Sequence, residues 1–137
     1  MQRVLLISGS TRAASTNSAL CHFASADAVL FCTPEYAGTL PGSLKNLLDW
    51  TVGGTELTDK PVAWVKVAAD QRRGEGAHST LATVLGYVQT RVVADACRHV
   101  PILRKAVGAD GLITDIAARA RIAATIQAVL DGQHPAA

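Results

Sequence analysis

No apolar run in this 137-residue chain approaches the roughly 20 residues needed to cross a bilayer, although 49% of it is apolar. Val4-Leu5-Leu6-Ile7 is too short for a secretory signal core, and no small-residue cleavage site follows it. The expected location is the cytoplasm. Cysteine is scarce: Cys21, Cys32 and Cys97 form no CxxC and leave an odd count, which fits a reducing compartment. They read as small buried hydrophobes, and Cys21-His22 with Cys32 has no metal-site spacing. Charge is nearly balanced at a net +2, too little to argue for nucleic acid. The one basic cluster, Gln71-Arg72-Arg73, lacks interleaved aromatics and reads as a solvated loop. GxGxxG, GxxxxGK[ST] and a nucleophile elbow are all missing, which weakens dinucleotide-fold, nucleotide-triphosphatase and hydrolase readings. Repeats and linkers are missing too. The chain reads as one domain over residues 1–137, with a tail from about residue 132 expected to be disordered.

What is present is an alternation of apolar runs and helical periodicity. Residues 3–8 and 28–32 read as buried strands, and residues 61–68 as a third that tolerates Pro61 as its first residue. Residues 91–97 read as a fourth. Between them fall a short helix over about residues 17–25, a helix capped near Ser43, and a helix over about residues 78–88. The second of these carries Leu44, Leu47 and Leu48 at core-facing spacing. Asp115 is placed to cap a last helix bearing Ile116, Ala120, Ile122, Ile126, Val129 and Leu130, which stops at Gly132. Strands alternating with helices imply a parallel α/β sheet.

Two loops at the carboxyl ends of strands carry the chemistry, where open α/β sheets hold ligands. The first, Gly9-Ser10-Thr11-Arg12-Ala13-Ala14-Ser15-Thr16-Asn17-Ser18, offers five hydroxyls, an amide and a guanidinium ahead of a helix start. Unpaired N–H groups and the helix dipole favour an anion there, and Arg12 would complete a phosphomonoester cage. The same residues also suit an N-cap loop that binds nothing. In the second loop, residues 33–42, Pro34 fixes its φ, Gly38 and Gly42 permit close backbone approach, and Tyr36 offers a flat face. Such a loop could grip a planar ring. Together the two loops suit a mononucleotide cofactor.

The motifs Gly9-Ser10-x-Arg12-x-x-Ser15-x-Asn17 and Thr33-Pro34-Glu35-Tyr36-x-Gly38-x-x-Pro41-Gly42-x-Leu44-Lys45-Asn46-x-Leu48-Asp49-Trp50 resemble those of the NADPH-dependent FMN reductase family. The resemblance implies a flavodoxin-like fold, bound FMN and NADPH or NADH as electron donor. It further implies that Ser10, Arg12, Ser15, Thr16, Asn17 and Ser18 hold the FMN phosphate, and that Pro34, Glu35, Tyr36, Ala37 and Gly38 line the ring edge. The loop over residues 70–77, with Asp70 and Gly76, would meet the other side of the ring. Family members pass hydride from a nicotinamide to flavin N5 and on to a quinone, free flavin, azo dye or metal oxyanion. Because the flavin performs the chemistry, no catalytic side chain is assigned. His78 is the only candidate acid near the site, and it reads rather as a surface histidine at a helix start. Glu35 is expected to be structural, since a carboxylate beside a reduced, anionic flavin is unfavourable.

The chain departs from the family at Ala37, where Asn is usual, and at Gln71-Arg72-Arg73, where a Gly/Ser-rich loop is usual. A larger departure is length: about ten residues separate Asn17 from Ala28, whereas a βαβ unit takes roughly 30. The chain reads as having lost a segment containing the usual edge strand, which leaves about four strands in the order 1-2-3-4. Right-handed crossovers, the rule in about 98% of cases, would put the connecting helices on one face and only the last helix on the other. An apolar face left partly uncovered argues for self-association, and a homodimer is the expected partner state; no nucleic-acid or membrane partner is expected. The implied function is an NAD(P)H-dependent FMN oxidoreductase. The alternative is a truncated, non-catalytic flavodoxin-like module that binds flavin weakly or not at all.

Overall fold

The computed structural model describes residues 1–8 and 25–132. Five parallel strands form its sheet: β1 (Val4–Ser8), β2 (Ala28–Cys32), β3 (Pro61–Lys66), β4 (Arg91–Val92) and β5 (Arg98–His99). The order β1-β2-β3-β4 is the simple one expected, with β5 also pairing with β3. β1 and β2 run in register from Val4↔Ala28 to Ser8↔Cys32. Their entry is pinned where the Arg3 carbonyl accepts from Asp27 N at 2.8 Å and the Asp27 carboxylate accepts from Arg3 N at 2.6 Å.

The expected fourth strand over residues 91–97 is broken. β4 pairs Val62↔Val92 and β5 pairs Val65↔Arg98, so three steps along β3 face six along its neighbour. A 3₁₀ turn, Ala94–Ala96, takes up the excess and buries Ala96. Alternating sequence could not expose that mismatch. The third strand likewise stops at Lys66, short of the expected residue 68.

Among the described residues three helices cover the sheet: α1 (Gly42–Asp49), α2 (Glu75–Tyr87) and α3 (Ile116–Asp131). α1 and α2 share one face, where Leu44, Leu48, Ala77, Leu81 and Leu85 pack with Val29, Phe31 and Val62. α3 takes the other, where Ala118 and Val129 pack with Ala28, Leu30, Ala63 and Val65. Right-handed crossovers account for the division. On the α3 side, Leu6 of β1 remains 63% exposed, because α3 crosses β2 and β3 rather than the sheet edge.

Several sequence expectations shift on contact with this packing. α1 begins at Gly42 with Pro41 as its N-cap and no side-chain cap bond, so Ser43 does not cap it. α2 begins at Glu75, three residues before the expected start, because Gly74 turns the chain at φ +89. Asp115 does cap α3, accepting from Ala118 N at 3.1 Å. The buried stripe of α3 is Ala118, Thr125 and Val129, while Ile116 is 81% exposed and Ala120 is exposed too. Helical period alone could not say which side of this Ala-rich helix the sheet would take. Gly132 ends α3 in the right-handed region, at φ −64. Cys32 and Cys97 are half-buried thiols rather than fully enclosed hydrophobes; Cys21 and the short first helix lie outside the described residues.

Candidate functional site

The carboxyl ends of β2 and β3 open into a cavity of about 420 Å³ lined by Thr33, Pro34, Glu35, Lys66, Val67, Ala68, Arg73, Gly74 and His78. Its walls are the loop leaving β2, the end of β3 and the turn that starts α2. Neighbouring parallel strands bring these segments together because their loops emerge on the same sheet edge.

Beyond Glu35 the first loop makes a tight reversal. Tyr36 N and Thr39 N exchange bonds with Thr39 O and Tyr36 O at 3.0 and 3.1 Å. The two central residues, Ala37 at φ +50 and Gly38 at φ +78, are both left-handed. This is a primed turn, in which Asn-Gly is the favoured pair. The backbone therefore supplies a reason for Asn at position 37 that needs no ligand. Tyr36 stays half exposed at the tip.

The tip is seated against the start of α2. A Cβ on Gly76 would land on the Gly38 carbonyl oxygen, 2.9 Å from its carbon and 3.1 Å from Glu35 Oε2. Glu35 Oε2 accepts from Gly76 N at 2.8 Å and Ala77 N at 3.2 Å. Its carboxylate thus serves as the cap that α2 lacks in its own sequence, and the helix dipole offsets its charge. Thr39 and Thr80 hydroxyls, 3.0 Å apart, add a second tie. The structural role expected for Glu35 takes this form.

The opposite wall is tied down by two side chains. Lys66 Nζ donates to Gln71 O at 2.8 Å and to Glu75 Oε2 at 3.0 Å. Its side chain is 13% exposed, whereas that of Glu75 is 78% exposed. The Lys66 hydrogen bond, and then its charge, hold the Glu75 carboxyl below the ordinary carboxylate range. His78 Nδ1 lies 2.6 Å from Gly74 O, and its Nε2 is buried without a partner among the described residues. His78 is 7% exposed, so the surface histidine expected at a helix start is instead a core side chain 6.3 Å from the Trp64 ring. The earlier helix start places it one turn inside α2, facing the sheet. Ala68 is fixed from the far side, where its carbonyl lies 2.6 Å from His99 Nε2.

Of the residues expected around a ring, Pro34 and Glu35 line the cavity, and Tyr36, Ala37 and Gly38 form the turn that follows them. Gly76 lies under that turn rather than in the cavity wall. Asp70 starts the opposite turn, its carboxylate accepting from Arg72 N at 3.0 Å, and does not line the cavity. Ser10, Arg12, Ser15, Thr16, Asn17 and Ser18 lie outside the described residues. Thr33, Arg73 and Gly74 lie in the two loops expected to meet a ring, though none was singled out, and His78 was expected nearby at the surface; Lys66, Val67 and Ala68, at the end of β3, were missed. Lys66 carried a usable signal, as the single charge ending the apolar run Val62-Ala63-Trp64-Val65.

Comparison with known proteins agrees with this architecture. Residues of an NADPH azoreductase from Bacillus sp. (strain OY1-2) are 43% identical to this chain over 63 residues, covering 43% of this chain and 35% of that protein. The match thus spans about a third of that relative's length. A flavoenzyme NAD(P)H:(acceptor) oxidoreductase, FerB from Paracoccus denitrificans, superposes with a TM-score of 0.79 at 20% identity, covering 97% of each chain. An oxidoreductase from Corynebacterium diphtheriae gives a TM-score of 0.60 at 18% identity, over 88% of this chain and 64% of that one. These likenesses establish the flavodoxin-like fold. Residues 21–102 match the family model for NADPH-dependent FMN reductase, and the chain belongs to that family.

Proposed function

We propose that the chain is an NAD(P)H-dependent FMN oxidoreductase that passes hydride from a nicotinamide to FMN and on to a small acceptor such as a quinone, free flavin, azo dye or metal oxyanion. The observation that carries this reading is the seating of the residue 36–39 turn on the start of α2. It brings the β2 loop and the β3 loop to either side of one cavity large enough for a planar ring.

The residues present fit the cofactor. Glu35, the one carboxylate lining the cavity among the described residues, is turned to the α2 amides, which removes the repulsion a reduced ring would otherwise meet. Lys66 contributes a cation at the cavity wall, the sign of charge that favours an electron-rich ring. Residues 33–35 and 66–74 would hold the ring, and the hydroxyls of residues 10–18 with Arg12 would hold its phosphate. FMN, when bound, supplies the hydride-accepting and hydride-donating chemistry. The chain's own contribution is orientation. Pro34 limits loop motion, Glu35 locks the loop to α2, and Lys66 and His78 hold the turn over residues 71–74. Side-chain acid catalysis is not part of the proposal.

The reading includes a cytoplasmic homodimer. Leu6, Trp50 and Val52 are 63%, 59% and 67% exposed, which favours burial against a second copy. It also includes a shortening of the family chain between the phosphate loop and β2. Among the described residues, no helix is long and apolar enough to cross a membrane. Purified protein incubated with FMN and passed through a desalting column tests the function. Retained flavin absorption that bleaches anaerobically on adding NADPH is expected. Protein that remains colourless at micromolar FMN favours the non-catalytic module, and monomeric sedimentation at micromolar concentration counts against the dimer.

A further inference from the structure

The cavity is unevenly charged. Its lining includes three formally charged side chains, Glu35, Lys66 and Arg73. Glu35 faces two helix amides, so its charge is offset within the protein. Lys66 is paired with Glu75, but that carboxylate stands 78% exposed and is screened by water. The Arg73 guanidinium has neither an ion pair nor a hydrogen bond to any described residue; only its backbone N–H is engaged, donating to Asp70 O at 3.1 Å. The wall formed by the end of β3 and the turn before α2 is therefore cationic.

This turn is also held in place on both sides of Arg73. Lys66 Nζ grips the Gln71 carbonyl and His78 Nδ1 grips the Gly74 carbonyl. Gly74 adopts φ +89 with Lys66 Cδ only 3.2 Å from where a Cβ would stand, so the turn lies directly on the lysine stem. A guanidinium carried on a held turn, with its donors unused by described residues, can fork onto a ligand with two acceptor oxygens.

We infer that Lys66 and Arg73 form an anion subsite, which selects redox substrates carrying a sulfonate, carboxylate or phosphate on the group that enters the cavity. The inference rests on the flavin-reductase reading only for the class of ring that enters. The anion can belong to an aromatic acceptor or to the ribose phosphate that distinguishes NADPH from NADH. Charge-assisted pairing to a guanidinium corresponds to a preference of roughly tenfold over a neutral isostere.

Equilibrium dialysis of the full chain, with and without FMN, against anthraquinone-2-sulfonate and neutral 2-hydroxymethylanthraquinone tests this. The expected result is roughly tenfold tighter binding of the sulfonate at low ionic strength, weakened by salt. Arg73→Gln should abolish the preference and Arg73→Lys should keep part of it. Arg72→Gln, which removes a neighbouring charge of the same sign outside the cavity lining, should leave it in place. A parallel dialysis with NADPH and NADH distinguishes the sources. A tenfold preference for NADPH that Arg73→Gln removes, with no sulfonate preference, assigns the subsite to the donor's phosphate. Equal binding within both ligand pairs, or preferences that survive Arg73→Gln, overturns the inference. Flavin retention is read separately by absorbance, and the flavin-free arm still reports the subsite if FMN does not bind.

Discussion

Gly76 and Gly86 occupy the same helix, yet substitution by alanine should move stability in opposite directions. In a helix interior, Gly→Ala is worth up to about 1 kcal/mol of stabilisation through backbone entropy. At Gly86 nothing lies within 4 Å of the added methyl, so Gly86→Ala should realise a few tenths of that and raise Tm slightly. At Gly76 the methyl meets the Gly38 carbonyl, which is backbone, and sits 3.1 Å from the Glu35 carboxylate. Overpacking of that kind costs about 1–3 kcal/mol. Displacing Glu35 also weakens the cap on α2, at about 1 kcal/mol. Setting the propensity gain against these costs leaves a net loss of roughly 1–3 kcal/mol, or about 4–12 °C in Tm for a domain of this size. Differential scanning calorimetry of the two variants beside the parent chain gives the answer directly. The same displacement should move the cavity wall, so Gly76→Ala should retain less FMN after desalting while Gly86→Ala retains as much as the parent. A Gly76→Ala protein as stable as Gly86→Ala would refute the seating of the residue 36–39 turn on α2, and with it the basis for the cavity.

Other expectations follow from single contacts. Glu35→Ala removes the acceptor for Gly76 N and Ala77 N and should cost about 1–2 kcal/mol in urea denaturation; an unchanged midpoint would show that the cap contributes nothing. Ala37→Gly relieves a left-handed alanine and should stabilise by about 0.5–1 kcal/mol, whereas Ala37→Val should do the reverse; equal melting of the two would argue against the turn. Lys66 holds the Glu75 carboxyl below its ordinary range, so the pair stabilises the fold above that range and the contribution fades as pH falls through the depressed value. Comparing Lys66→Met with the parent across acidic pH should show a small gap that narrows toward low pH and in high salt. Burial pushes the Cys32 and Cys97 thiols up, so peptide mapping after iodoacetamide at neutral pH should find both slow to react when native and fast in urea.

Much of the frame was legible from residues alone. Continuous apolar runs marked β1, β2 and β3, and the Leu44/Leu48 spacing marked the buried side of α1, because burial on a regular element leaves a period in the sequence. The loop over residues 33–42 was legible as a Pro- and Gly-bearing connection leaving β2, and the structure sets Pro34 and Glu35 of that loop in a cavity wall. The break between β4 and β5 was not, since both halves look extended and the misfit exists only relative to β3. Nor was the burial of His78, which follows from where Gly74 and Glu35 start α2.

By itself the sequence determined the alternation of strands and helices and the turn-prone, Gly- and Pro-bearing loop after β2. Each of these depends on local period or local turn preference, which neighbours along the chain encode. Only the tertiary structure decided that Glu35 caps a helix 41 residues away, that Lys66 and His78 clamp the turn carrying Arg73, and that the cavity wall is cationic. Those outcomes depend on which strand ends become neighbours in space, and no local pattern along the chain records them.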